Sequence, residues 1–245
     1  MIRTGTMLRL LALALLVWLV LQPSAFAAFF GLFTRPGQPA IYNQGSLLSI
    51  TLSHLLIVLV AIAASAFLAV SLAILVTRRF GTDFLPVSRA VANIGQTFPP
   101  VAVLALCVPL FGFGTTPTLV ALFLYGLLPI FENTLAGLSS VPPTVTEAAK
   151  GMGMTPLQRL MHVELPLSLP LILAGLRLST TIALSTATIG STVAARTLGE
   201  VIIAGLQAGN TAFVVQGGLI VGLMALLIHD GFVALERWQQ ARIGR

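Results

Sequence analysis

Side chains able to do chemistry are scarce in this sequence. Its 245 residues hold 7 acids, 3 histidines, 1 cysteine and 13 basic residues, and Lys150 is the only lysine among them. No carboxylate pair, no nucleophile beside a base and no metal-ligand cluster can be read from their spacing, which points to neither an enzyme nor a cofactor site. His54 has no Cys, Asp or second His at ligand spacing and reads as an interfacial residue. Lys150 stands in Glu-Ala-Ala-Lys-Gly-Met and not in a Gly-x4-Gly-Lys-Ser/Thr phosphate loop, so ATP cannot be hydrolysed here by that route. Cys107 lies in an apolar run, and a lone cysteine excludes a disulfide within the chain.

What remains is mechanical and electrostatic. Residues 141–170 form the one long polar interruption in the second half of the chain, with Lys150, Glu147 and Glu164. Pro142 and Pro143 stop the preceding segment, and Thr144 with Glu147 has the spacing of a capping box, predicting a short helix with an apolar side through Met161. Pro166 and Pro170 are expected to mark the next segment. A second interruption is Gln96, Thr97, Phe98, Pro99 and Pro100. Adjacent prolines break helical hydrogen bonding, and irregular backbone at membrane depth survives only inside protein or beside water. Gln96, Thr97, Pro99 and Pro100 are therefore candidates for a pathway lining or a moving bend; a helix that simply starts at Pro100 is the other reading. Glu132 and Arg177 fall within apolar spans, where a charge costs on the order of 3 kcal/mol, and an Arg177–Glu132 ion pair would offset that cost. Separate snorkelling of the two side chains is the alternative.

The elements that must position these residues are membrane spans. The chain is 57% hydrophobic and 8% charged, with mean hydropathy +1.00, whereas soluble domains carry roughly 25% charged residues. The net charge of +6 sits in short loops between apolar segments, which argues for a lipid bilayer and against nucleic acid. Apolar stretches near 8–26, 48–76, 90–111, 118–138, 167–189 and 212–235 predict an all-α, polytopic membrane helical bundle of about six transmembrane helices. The first could also be a cleaved leader, with Ala25-Phe26-Ala27 resembling a processing site; it is taken here as a retained helix. With both termini in the cytoplasm, the inner loops and tails hold Arg3, Arg9, Arg78, Arg79, Arg89, Lys150, Arg159, Arg237, Arg242 and Arg245. Only Arg35 and Arg196 remain outside, so the charge asymmetry supports this orientation.

The polar loop also carries a family resemblance. Glu147-Ala148-Ala149, with Gly151 and Gly153 after it, then Val163 and Leu165-Pro166, resembles the EAA loop of ABC importer permeases, with valine where the family pattern has isoleucine. The resemblance implies a type I importer permease fold in which this loop is a cytoplasmic coupling helix seated in an ATPase subunit. A small residue at Gly153 would let another backbone approach closely. The runs at 95–106, 125–138 and 197–212 look like permeases of the glycine betaine, carnitine and choline importers, which are osmoprotectant uptake systems. Glu132 departs from that pattern, since relatives often have a basic residue there.

The implied complex holds two ATPase subunits, a second permease chain that is either a copy or a paralogue, and an extracytoplasmic substrate-binding protein in a bacterial inner membrane. The expected organisation is a first helix and outer loop at 1–46, a permease domain at 47–236 with the loop at 141–170, and a basic tail at 237–245. Quaternary amines are recognised by aromatic cages. Trp18 and Trp238 are poorly placed for one, so selection is expected in the binding protein. An ABC permease for amino acids or another small solute is the near alternative, and an ion-gradient-driven transporter the distant one; no internal repeat favours the latter.

Overall fold

A computed structural model of the chain describes residues 2–243; Arg245 and the side chains of Arg3 and Arg242, expected on the cytoplasmic side, lie outside the described residues. Every regular element among the described residues is helical. In order they are α1 (Ile2–Leu21), α2 (Ala27–Gly31), α3 (Leu47–Val76), α4 (Leu85–Thr97), α5 (Pro100–Phe111), α6 (Thr115–Ser139), α7 (Pro143–Gly151), α8 (Pro156–Arg159), α9 (Leu165–Thr186), α10 (Gly199–Ala208) and α11 (Thr211–Ile243). Among the described residues, four helical stretches are long and apolar enough to cross a membrane: α3, α6, Pro156–Val193 and Thr211–Gln239. Counting α1 with α2, and α4 with α5, as broken spans gives up to 6.

The spans differ from expectation mainly at their ends. The first helix stops at Leu21, not near residue 26; a turn at Pro23–Phe26 follows, and the chain bends by 108° there. Pro23 has no amide hydrogen to continue the ladder. Pro166 and Pro170 do not mark the start of the fifth span: α8, a π-helical turn at Leu160–Glu164 and α9 run on as one helix from Pro156, with Pro170 inside it. Of the expected tail, residues 237–243 continue α11.

The chain forms two compact units. One takes the chain up to Ala61, Phe98–Leu122 and Thr181–Asp230; the other takes Ile62–Thr97, Phe123–Thr180 and the chain from Gly231 onward. In the second unit, Ala69, Ala73 and Val76 of α3 pack with Ala92 of α4 and Leu127, Ile130 and Phe131 of α6. The small side chains let helices meet at backbone distance, the usual basis of packing where lipid removes the hydrophobic drive between helices. Gly95 shows this between α4 and α6, since a Cβ there would lie 2.3 Å from the Leu124 carbonyl oxygen.

In the first unit, the segment between α2 and α3 is tied to α10 and α11. Asn210 donates to the Pro39 carbonyl at 2.9 Å and accepts from the Ala212 amide at 3.1 Å. Gln216 accepts from the Tyr42 amide at 3.0 Å. His54 is fully buried, so the interfacial placement expected for it is wrong. Its Nδ1 accepts the Leu198 amide hydrogen at 3.2 Å, which leaves the Nε2 hydrogen to donate to the Leu184 carbonyl at 3.1 Å. Burial is tolerated because both ring nitrogens are satisfied by backbone.

Candidate functional site

The Glu-Ala-Ala loop is a helix, a turn and a second helix start. Pro142 is extended at φ −60° and ψ 136°, and Pro143 opens α7 where no amide hydrogen is required. This early start removes the expected capping box at Thr144 and Glu147, since the first turn has already formed. Thr146 instead donates to the Pro143 carbonyl at 2.8 Å, and Glu147 pairs with Lys150 at 2.5 Å. That lysine, with a smaller contribution from Arg159, holds the exposed Glu147 carboxyl below the usual carboxylate range. Ala149 is buried, whereas Glu147, Ala148 and Gly151 face outward.

Gly153 ends the helix. Its φ is +79°, and a Cβ there would meet nothing within 4 Å. The glycine is therefore required by backbone conformation and not by lack of room for a Cβ. Its amide donates to the Lys150 carbonyl at 2.9 Å and the Met154 amide to the Ala149 carbonyl at 3.1 Å, the paired bonds of a Schellman turn. A capping box does form, but one step later. Thr155 accepts from the Gln158 amide, and the Gln158 side chain accepts from the Thr155 amide. On either side of these two fixed ends, Val145, Met152, Leu157 and Met161 stay exposed, Met152 at 71% and Leu157 at 67%.

Val163 lies in the π-turn, and Leu165 and Pro166 open α9. Pro166 cannot donate to the His162 carbonyl and its ring crowds it, which fits a widened turn just before it. Glu164 in this turn is 9% exposed and pairs with Arg78 at 2.6 Å. The sequence reading missed this pair; the available signal was a carboxylate beside an apolar span that needed a cation.

The Arg177–Glu132 pair is replaced by two others. Glu132 accepts two hydrogen bonds from Arg89, at 2.6 and 3.0 Å, and Arg177 pairs with Glu236 at 2.9 Å. The cause is helical phase. Where α9 meets α6, Gly175 lies so close to its neighbours that a Cβ added to it would fall 2.8 Å from the Asn133 Cβ and 2.9 Å from the Pro129 carbonyl oxygen. Glu132 is one residue from Asn133, about 100° around α6, and Arg177 two residues from Gly175, about 200° around α9. Both charges turn away from the shared face.

At the other interruption, α4 ends at Thr97, Pro99 is extended at φ −61° and ψ 143°, and Pro100 opens α5. The helical ladder is interrupted at Pro99, and the chain is helical before the interruption as well as after it. Gln96 ties α4 to α6 through the Tyr125 carbonyl at 3.2 Å, and Thr97 closes on the Ile94 carbonyl at 2.7 Å.

A family model, binding-protein-dependent transport system inner membrane component, matches residues 69–245, which include the loop, the π-turn and the interruption at Pro99–Pro100. The chain belongs to that family. Among relatives of this permease, the osmoprotectant import permease OsmY of Salmonella typhimurium is 37% identical over 91% of this chain and 88% of its own length. The choline transport system permease OpuBB of Bacillus subtilis is also 37% identical, over 80% of this chain and 89% of its own. In fold, the permease is similar to a chain of the inward-facing MetNI methionine ABC transporter, with a TM-score of 0.67 at 20% identity, covering 77% of this chain and 93% of that one. It is also similar to a chain of an amino acid ABC transporter crystallised with histidines, with a TM-score of 0.61 over 80% of this chain. The fold is that of type I ABC importer permeases, and the protein is a multi-pass membrane transport subunit.

Proposed function

We propose that the permease moves a small quaternary-amine osmoprotectant, such as glycine betaine or choline, inward across the bacterial inner membrane. Two ATPase subunits drive it, a second permease chain completes the path, and an extracytoplasmic binding protein delivers the solute. Both termini and the Glu-Ala-Ala loop face the cytoplasm. The observation that carries the reading is the loop itself: Val145, Met152, Leu157 and Met161 are exposed on a polar segment fixed by a Schellman turn and a capping box. Apolar side chains held rigidly in water suit a docking surface. ATP binding would close the ATPase pair, draw the two loops together and bias the spans from inward-open to outward-open. The names of the relatives support the solute class, and Pro99–Pro100 with Gln96 and Thr97 are the proposed bend on the path.

Uptake of radiolabelled glycine betaine by cells carrying the whole gene cluster tests this. Uptake should require the ATPase gene and collapse in a normally inserted Gly153→Val permease. ATPase-dependent uptake of a different solute would keep the importer and discard the osmoprotectant. Betaine uptake indifferent to loss of the ATPase would overturn the reading.

A further inference from the structure

We propose that the loop-bearing unit holds an anion site, a cleft that takes a phosphate group between Arg79, Lys150 and Arg159. The cleft measures about 760 Å³ and is walled by the end of α3, the start of α4, the end of α6 and the α7–α8 loop. Four cations line it, Arg78, Arg79, Lys150 and Arg159, against one carboxylate, Glu164. That carboxylate is already engaged by Arg78 at 2.6 Å. Lys150 shares its ammonium with Glu147, which is exposed and does not line the cleft. Arg79 has no ion-pair partner among the described residues, and the Arg159 Nε is buried without a hydrogen-bond acceptor.

A buried guanidinium nitrogen left without an acceptor is costly, and an oxyanion supplies what it lacks. Guanidinium groups match phosphate oxygens two at a time, and an ammonium adds a point charge. The volume exceeds that of a bare phosphate and suits one carrying a short polar ester. Phe80, 74% exposed, lines the same cleft, so its mouth is part cationic and part aromatic. Two sources share this chemistry. One is the phosphodiester headgroup of an anionic lipid in the cytoplasmic leaflet, which basic side chains near a span attract. The other is a free phosphate or phosphomonoester. The site does not depend on which solute is carried.

The test uses the complete transporter, purified with its ATPase in mild detergent. Native mass spectrometry would count phosphatidylglycerol and phosphatidylcholine retained by wild type, by the Arg79→Gln/Arg159→Gln double variant, by its Arg→Lys counterpart and by Arg35→Gln, a control in the other unit. Thermal stability would be followed in parallel with inorganic phosphate against chloride at equal ionic strength. Preferential retention of phosphatidylglycerol that falls several-fold only in the double Gln variant supports the site with a lipid as its ligand. Stabilisation by phosphate that vanishes only in that variant supports it with a free anion. Equal lipid retention across all four proteins, with no phosphate-specific shift, would overturn the proposal. So would an equal loss in the Lys counterpart and the control.

Discussion

The Glu-Ala-Ala loop and the network around His54 solve opposite problems. The loop leaves apolar side chains exposed and spends its hydrogen bonds on its own ends, at Gly153 and Thr155. The His54 region buries its imidazole and satisfies both ring nitrogens from backbone, at Leu184 and Leu198, while the neighbouring Gln216 accepts from the Tyr42 amide and keeps a buried Nε2 without a partner. An incomplete surface is useful only if something else completes it. A satisfied network is complete as it stands and rigid, because each group left without its partner is penalised. The difference teaches where function should be sensitive: variants in the network should cost folding, and variants in the loop should cost transport.

His54→Leu is the largest break of that contrast. It leaves the Leu198 amide and the Leu184 carbonyl without the imidazole in a buried site, a loss of about 2–4 kcal/mol. Thermal unfolding of the purified protein should show it, and uptake per correctly inserted molecule should stay close to wild type. Normal stability with lost uptake would place His54 on the transport path instead.

Next comes the pairing of charges. Arg177→Glu removes the partner of Glu236, in a pair whose side chains are 29% and 17% exposed, and should cost about 2 kcal/mol. Adding Glu236→Arg should recover most of that stability, while adding Glu132→Arg should recover none. Rescue by the Glu132 change would restore the pairing expected from sequence and contradict the helical phase described above.

Gly153 sharpens the comparison from the loop side. A β-branched residue at φ +79° is strained by about 1–2 kcal/mol, so Gly153→Val should reduce uptake roughly tenfold with little change in global unfolding. Asparagine tolerates the left-handed region far better. Gly153→Asn should therefore retain most of the uptake if the turn is what matters. Failure of both variants alike would mean that a partner's backbone approaches this position, as the sequence pattern implies.

How much of this was legible beforehand follows the range of each interaction. Apolar runs located the centres of the spans, because bilayer thickness sets the apolar length whatever the packing, but the helices run past them, the fifth from Pro156 and the last to Ile243. The loop was legible as a spaced pattern, with Gly153 in it as a small residue that would admit another backbone. Its local geometry was not, because Thr144 and Thr155 both offer capping signals and Pro143 decided between them by starting the helix early. The pairings of Glu132, Arg177 and Glu164 were not legible because two charges in neighbouring spans meet only if their helical phases agree, and phase depends on contacts such as Gly175 against Asn133. His54 was misplaced for the same reason: position along α3 gave its depth, and only α10 and the end of α9 reveal that it is enclosed.

The smallest predicted effect concerns the rim of the network. The Tyr42 hydroxyl donates to Glu200 at 3.1 Å. Burial first, then the Glu200 carboxylate and the hydrogen bond to it, push the phenol up from 10.0 to about 12, with Arg196 opposing. Tyr42→Phe should cost about 1 kcal/mol at neutral pH, the net worth of an ordinary hydrogen bond, because the Glu200 acceptor is half-buried and shares its charge with water. The unfolded chain loses its phenolic proton near pH 10 while the folded protein keeps it until about 12, so the wild type loses this contribution as pH rises through that window. The Phe variant has no such proton to lose. Unfolding measured from pH 9 to 12 should therefore show the two proteins converging, wild type falling faster. Parallel curves would mean that Tyr42 is open to water, and the contrast between a sealed network and an open loop would lose its outer member.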